Sequence, residues 1–133
     1  EVITPALEGT ILAGVTRDSV INVLRGWGMK VTERRISMDE IIKASKDGQL
    51  REVFGTGTAA VISPVGELGW AGGSVSVGGG GGVGELTRKL YDTVQGIQYG
   101  QLPDVNGWLT EVPPAPLRPH EVRAAPERRE VLA

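Results

Sequence analysis

The sequence has no cysteine, and its single histidine, His120, lies in a proline-rich stretch. Disulfides and cysteine-ligated metals are thereby excluded, and both His-based metal sites and Ser-His-Asp catalysis lose their essential part. No apolar run is long enough to span a bilayer, and no charged-then-apolar signal segment stands at Glu1. The expected setting is soluble and not secreted, either cytoplasmic or mitochondrial. A basic excess is also missing: fourteen Lys and Arg against sixteen Asp and Glu give a net charge of −2, with the cations scattered rather than striped. Neither nucleic acid nor a membrane is expected as a partner.

What is present suits one folded unit, with 40% apolar residues in 133. Its most distinctive stretch is Val53-Phe54-Gly55-Thr56-Gly57-Thr58-Ala59-Ala60-Val61-Ile62-Ser63-Pro64-Val65. Apolar β-branched runs flank a turn of glycine, threonine and alanine, where main-chain N–H groups and two hydroxyls can approach an anion unobstructed. Taken alone, the same glycines could equally make a tight hairpin and nothing more.

Upstream, Glu1 to Pro5 reads as the tail end of a strand, as though the chain began in the middle of something. Thr16 stands where an N-cap belongs. Behind it Val20, Val23, Leu24 and Trp27 recur at helical spacing before Gly28, which predicts an amphipathic helix over Arg17 to Trp27. Gly14-Val15-Thr16 then presents N–H groups at the positive end of a helix dipole, a second phosphate-competent site. Lys30 to Ile36 reads as a strand. Ser37 and Glu40 form a Ser-x-x-Glu capping box for a short helix ended by Asp47-Gly48. Pro64 is expected to end ladder pairing, with a further short strand over Val65 to Leu68.

Trp70 to Val77 resembles a hairpin turning at Ala71-Gly72-Gly73, followed by five glycines, Gly78 to Gly82. Gly79, Gly81 and Gly84 satisfy the dinucleotide pattern G-x-G-x-x-G, with Asp104 at ribose distance, but any glycine run does so. The segment Gln98 to Asn106 is not the buried strand such a unit needs, so a surface loop is preferred. Leu86, Leu90, Val94 and Ile97, with Tyr91 on the same side, predict a helix ending near Gly96, with Arg88, Lys89 and Asp92 on its solvated face. Asn106 to Leu109 reads as a turn into a last strand. Residues 113–133 form a proline-rich tail expected to be disordered.

Taken together, the two phosphate-competent sites and their surroundings resemble the C-terminal part of branched-chain amino acid aminotransferases, fold-type-IV enzymes that use pyridoxal 5′-phosphate. The resemblance is carried by Thr10-Ile11-Leu12-Ala13-Gly14-Val15-Thr16-Arg17-Asp18-Ser19, Glu33-Arg34-Arg35-Ile36, Glu52 through Val65, and Gly84 through Gly100 to Gly107-Trp108. It covers roughly residues 2 to 112. It implies a mixed α/β (α+β) domain over residues 1–112, the C-terminal lobe of the D-amino acid aminotransferase-like fold. The implied reaction moves an amino group between leucine, isoleucine or valine and 2-oxoglutarate, in a homodimeric parent.

Residue by residue, the resemblance implies that Val15 and Thr16 hold the cofactor phosphate, that Leu12 lies against the pyridine ring, and that Thr58 adds a phosphate contact. Gly57 belongs with these cofactor residues. The amides of Thr58 and Ala59 would receive the substrate carboxylate, with Gly57 and Ala59 leaving room for a branched side chain. Ala13 departs from the family's proline, and Ala60 and Ser63 replace the Cys-x-x-Cys pair of some members. The family's Schiff-base lysine, its carboxylate partner for the pyridinium and its phosphate arginine fall upstream of Glu1. None of Lys30, Lys43, Lys46 and Lys89 stands in a matching context, so the chain is expected to carry no catalytic residue and half an active site. Two alternatives stay open: a D-amino acid aminotransferase or aminodeoxychorismate lyase of the same fold, and a non-catalytic fragment that binds phosphate or dimerises.

Overall fold

A parallel crossover opens the chain in the computed structural model, which describes residues 1–78 and 82–115. Strand β1 (Val2–Thr4) pairs in parallel with β2 (Val31–Glu33), and helix α1 (Val15–Gly26) lies between them in sequence. The two predicted strands are therefore partners. Strand β2 is shorter than the Lys30 to Ile36 run because pairing stops at Thr4↔Glu33. Past that point Arg34 donates its N–H to the Thr4 carbonyl, and its side chain turns to Glu40.

Helix α1 begins two residues before the expected start. Its N-cap is Gly14, extended at φ −74° and ψ 137°, so Thr16 lies inside the first turn and is not the cap. Val20, Val23 and Leu24 are buried as the spacing required, Trp27 is the C-cap, and Gly28 takes φ +73°. Helix α2 (Met38–Lys46) starts at Ser37, whose Oγ accepts the Glu40 N–H at 3.2 Å. The reciprocal half of the capping box is not made: both Glu40 carboxylate oxygens accept from the Arg34 guanidinium instead. A bidentate charged pair is the stronger use of that carboxylate.

Two antiparallel hairpins follow. Strand β3 (Phe54–Gly57) pairs with β4 (Val61–Pro64), so Gly55 and Gly57 are strand residues and the turn proper is Thr58-Ala59-Ala60. Val61 closes it at φ +53°, a conformation a β-branched side chain rarely adopts and one that costs about 1–3 kcal/mol. Its side chain packs on the core, which offsets that strain. The strand expected over Val65 to Leu68 is split. Val65 extends the first hairpin by donating to the Val53 carbonyl, while β5 (Glu67–Trp70) belongs to the second, with β6 (Gly73–Ser76). The second turn is the two residues Ala71 and Gly72, the latter at φ +112°, a tighter connection than the three expected.

Helix α3 (Glu85–Gln98) buries Thr87, Leu90, Val94 and Ile97. Gly96 does not end it. This glycine is buried within the last turn, where an added Cβ would lie 2.7 Å from Leu102 Cδ1, so the residue is small to let the chain fold back over the helix. Gly100, at φ +67°, makes the reversal. Tyr91 is 40% exposed rather than on the buried side, and Lys89 is not simply solvated: its ammonium stands 4.1 Å from the centroid of the Trp27 ring. Asn106 to Leu109 forms no strand. The Asp104 carboxylate accepts the Leu109 N–H at 2.7 Å and folds that segment into a loop. Donation from the Trp108 and Leu109 N–H groups holds the Asp104 carboxyl below its ordinary range.

The core is one cluster in which α1 supplies Val20, Val23 and Leu24, β4 supplies Ile62, and α3 supplies Leu90 and Val94, with Phe54, Val61, Leu86 and Trp108 around it. Gly79 and Gly81 of the dinucleotide-like pattern, and residues 116–133 of the tail, lie outside the described residues.

Candidate functional site

The three helix N-termini of the described chain differ in what fills them. At α2 a serine hydroxyl does so. At α3 the Glu52 carboxylate, reaching across more than thirty residues, accepts from Leu86 N at 3.0 Å, Thr87 N at 2.8 Å and Thr87 Oγ1 at 2.7 Å. Burial alone would push the Glu52 carboxyl up, but donation from Thr87 and Leu86 outweighs it and leaves the group below its ordinary value. Space is also reserved for this carboxylate, since a Cβ on Gly84 would lie 2.0 Å from Glu52 Cδ.

At α1 no side chain caps the helix. The nearest acid, Asp18, turns down the helix to accept from Asn22 Nδ2 at 3.1 Å. The N–H groups of Val15 and Thr16 therefore face outward at the positive end of the dipole with the Thr16 hydroxyl beside them. Gly14 is not required by its own backbone. Its φ is negative, and an added Cβ would meet only Arg17 Cβ, at 3.9 Å.

The β3–β4 turn has the same character. Gly57 is paired and its φ is not in the left-handed region, yet a Cβ there would meet nothing within 4 Å. A glycine costs a strand about 0.5–1 kcal/mol, and at Gly57 the described residues do not demand one. Gly57, Thr58 and Ala59 are all exposed. Leu12 and Val15 are 87% and 83% exposed, apolar side chains that no described residue covers.

The structure thus places Leu12, Val15 and Thr16 at one open helix end, and Gly57, Thr58 and Ala59 at one open turn. Helix α1 packs on β3. No hydrogen bond joins the two groups among the described residues. A cleft of about 650 Å³ lies elsewhere, between Ser45, Glu52, Val65, Ser76 and Thr87. Among the described residues no His, Asp and Glu cluster could hold a metal ion, and no helix is long and apolar enough to cross a membrane. The donor set, two amides and a hydroxyl at a helix end, fits a phosphate monoester; a pair of turn amides fits a carboxylate.

Two residues to which the sequence reading attached no role stand beside this site. Arg17, in the first turn of α1, donates from Nη2 to the Pro5 carbonyl and to Glu33 Oε2, both at 2.9 Å. Glu33 also accepts from Arg25 Nη2 at 3.1 Å. Arg17 beside it, together with Arg25, keeps the Glu33 carboxyl low against the opposing effect of burial. The signal was a charged residue at a strand end and another in a helix first turn, which has meaning only once the strands are known to be parallel.

Comparison with known proteins identifies the family. The sequence profile of amino-transferase class IV matches residues 1–68. Branched-chain-amino-acid aminotransferase 2 of Bacillus subtilis (strain 168) is 57% identical over 112 residues, covering 84% of this chain and 31% of that protein. A probable branched-chain-amino-acid aminotransferase of Staphylococcus aureus (strain N315) is 50% identical over 113 residues, with coverages of 85% and 31%. The crystal structure of Escherichia coli branched-chain amino acid aminotransferase superposes with a TM-score of 0.65 at 31% identity, over 82% of this chain and 33% of that one. The chain spans about a third of the length of the relatives it matches. Its mixed α/β fold is that of fold-type-IV branched-chain aminotransferases, and with half of its length matched by the family profile it belongs to the class IV aminotransferases.

Proposed function

We propose that the chain is the part of a branched-chain amino acid aminotransferase that holds the phosphate of pyridoxal 5′-phosphate and the carboxylate of the substrate. In this reading residues 1–112 are the C-terminal lobe of a longer homodimeric enzyme, residues 113–133 a tail beyond it, and the substrates are leucine, isoleucine or valine with 2-oxoglutarate. The names of the relatives support the branched-chain assignment over a D-amino acid aminotransferase or lyase. Those relatives are bacterial, which supports a cytoplasmic setting and lends nothing to a mitochondrial one.

The observation that carries the reading is the N-terminus of α1. Among the described residues side-chain oxygens fill the other two helix ends and none fills this one, which would leave it to an outside anion, with Gly14 clearing the approach. The Val15 and Thr16 amides and the Thr16 hydroxyl would take the phosphate, and the exposed Leu12 side chain would cover one ring face and keep water from it. Bound there, pyridoxal 5′-phosphate supplies the electron-withdrawing ring that lets an amino acid release its α-proton and pass its nitrogen to a 2-oxo acid. Thr58 contributes hydroxyl and amide, and with the Ala59 amide it orients the substrate by its carboxylate. The lysine that would tether the cofactor is not among Lys30, Lys43, Lys46 and Lys89 in this reading, so the lobe binds and orients while another segment moves the proton.

Thr58→Ala in the intact protein that carries this chain tests the assignment. Losing a hydroxyl that donates to an anion should weaken cofactor retention and raise the KM for leucine, by about 1–3 kcal/mol in total. Unchanged cofactor affinity together with unchanged KM would remove Thr58 from the site. Gly57→Ala should separate binding from folding. A Cβ meets nothing in the chain, so Tm is expected to stay level or rise slightly while KM increases. A drop in Tm with normal kinetics would mean that this glycine serves the hairpin alone.

A further inference from the structure

We infer that Glu33 is a positioning residue for the phosphate site: by holding both Arg17 and Arg25 it sets the height and tilt at which α1 presents the Val15 and Thr16 amides. The inference rests on the proposed phosphate reading and deepens it. Glu33 closes the parallel ladder opposite Thr4, and the next residue after Thr4, Pro5, gives its carbonyl to the same Arg17 nitrogen. The first turn of α1 is thereby tied to the carboxyl ends of both parallel strands, the edge at which open α/β arrangements place their ligands. Arg25 lies eight residues further along α1, about 12 Å up the axis, and takes the other Glu33 oxygen. One carboxylate so pins the helix at two heights.

Stability alone accounts poorly for this arrangement. Glu33 and Arg25 side chains are 36% and 53% exposed, and ion pairs that open to solvent are screened and add little. Arg17 is only 12% exposed, spends one nitrogen on two acceptors, and leaves Nε buried without a partner among the described residues. A guanidinium held in this way gives up one of its possible hydrogen bonds to stay in one place. Its effect falls on the N–H groups one and two residues before it, where a misaligned donor costs anion affinity directly.

Charge and position predict opposite signs, which makes the inference testable. A carboxylate near a phosphate site repels the dianion, so a purely electrostatic Glu33 would, on replacement by Gln, tighten phosphate binding, most at low salt. A positioning Glu33 predicts the reverse. In the intact protein, dissociation constants for pyridoxal 5′-phosphate and for pyridoxal would be measured by equilibrium dialysis for wild type, Glu33→Gln and Glu33→Asp. The aspartate keeps the charge but is one methylene too short to span both arginines, so any weakening there comes from geometry, and it decides alone should Glu33→Gln fail to fold. Both variants are expected to lose about tenfold in affinity for the phosphorylated form, at low and high salt alike, and less than about twofold for pyridoxal. Wild-type affinity in Glu33→Asp, tighter phosphate binding in Glu33→Gln, or equal loss for both ligands would overturn the inference. A wild-type protein that holds pyridoxal as tightly as its phosphate would overturn the phosphate reading itself, and the inference with it.

Discussion

Leu90→Ala is expected to destabilise the fold by about 2–5 kcal/mol, read as a lower midpoint in urea or a lower Tm. Leu90 is 0% exposed and lies in α3 where Leu24 of α1 and Ile62 of β4 complete the cluster. Truncation there removes buried methyl groups and leaves a cavity lined by three separate elements, which cannot all move in to refill it. A domain of this size has about 5–15 kcal/mol in total, so the loss is a large fraction of what holds it. The hairpin should loosen as well, because Ile62 sits two residues past the Thr58-Ala59-Ala60 turn and anchors it to the same cluster. Tyr91→Ala, one position along the same helix but 40% exposed, provides the control, with an expected cost of no more than about 1 kcal/mol. Equal costs for the two variants would mean that the buried face of α3 has been misassigned.

The second large effect is expected at Glu52. Its carboxylate accepts three hydrogen bonds from the start of α3, and the Thr87 residue that provides two of them is 2% exposed. Glu52→Ala removes a charged cap and strands a buried hydroxyl, at an expected cost of about 2–4 kcal/mol. Glu52→Gln keeps the shape but turns an NH2 group toward donors, so it should recover little. Acid sensitivity gives a separate readout. The folded carboxyl titrates below its ordinary value of 4.5, so the unfolded chain takes up its proton first as pH falls. The stabilisation is therefore complete above that ordinary value and is lost as pH drops through the lower, folded one. Glu1, Glu33, Glu40 and Asp104 are lowered in the same sense, so the quantity that decides is the difference between wild type and Glu52→Gln. Parallel stability–pH curves between pH 6 and 3 would mean that Glu52 is not the cap of α3.

Sequence by itself determined the elements whose signals lie within one or two helical turns. Val20, Val23 and Leu24 marked the buried face of α1, Leu90, Val94 and Ile97 that of α3, and Ser37 the start of α2. The glycine-threonine turn between apolar strands was equally legible, since its composition and alternation are local. Residue-level likeness to one enzyme family singled out Leu12, Val15, Thr16, Gly57, Thr58 and Ala59 as the site proposed above. Tertiary structure alone decided what those residues have around them. That β1 and β2 pair in parallel depends on a contact across some thirty residues, and only this pairing brings Glu33 to Arg17. Glu52 caps a helix thirty-four residues away, Gly96 is small because Leu102 returns over it, and Glu40 leaves its capping box for Arg34. Each of these is a competition between partners equally available to the unfolded chain. Backbone propensities act over a few residues and cannot rank such partners; packing of the shared core does, by fixing which groups end up within hydrogen-bond reach.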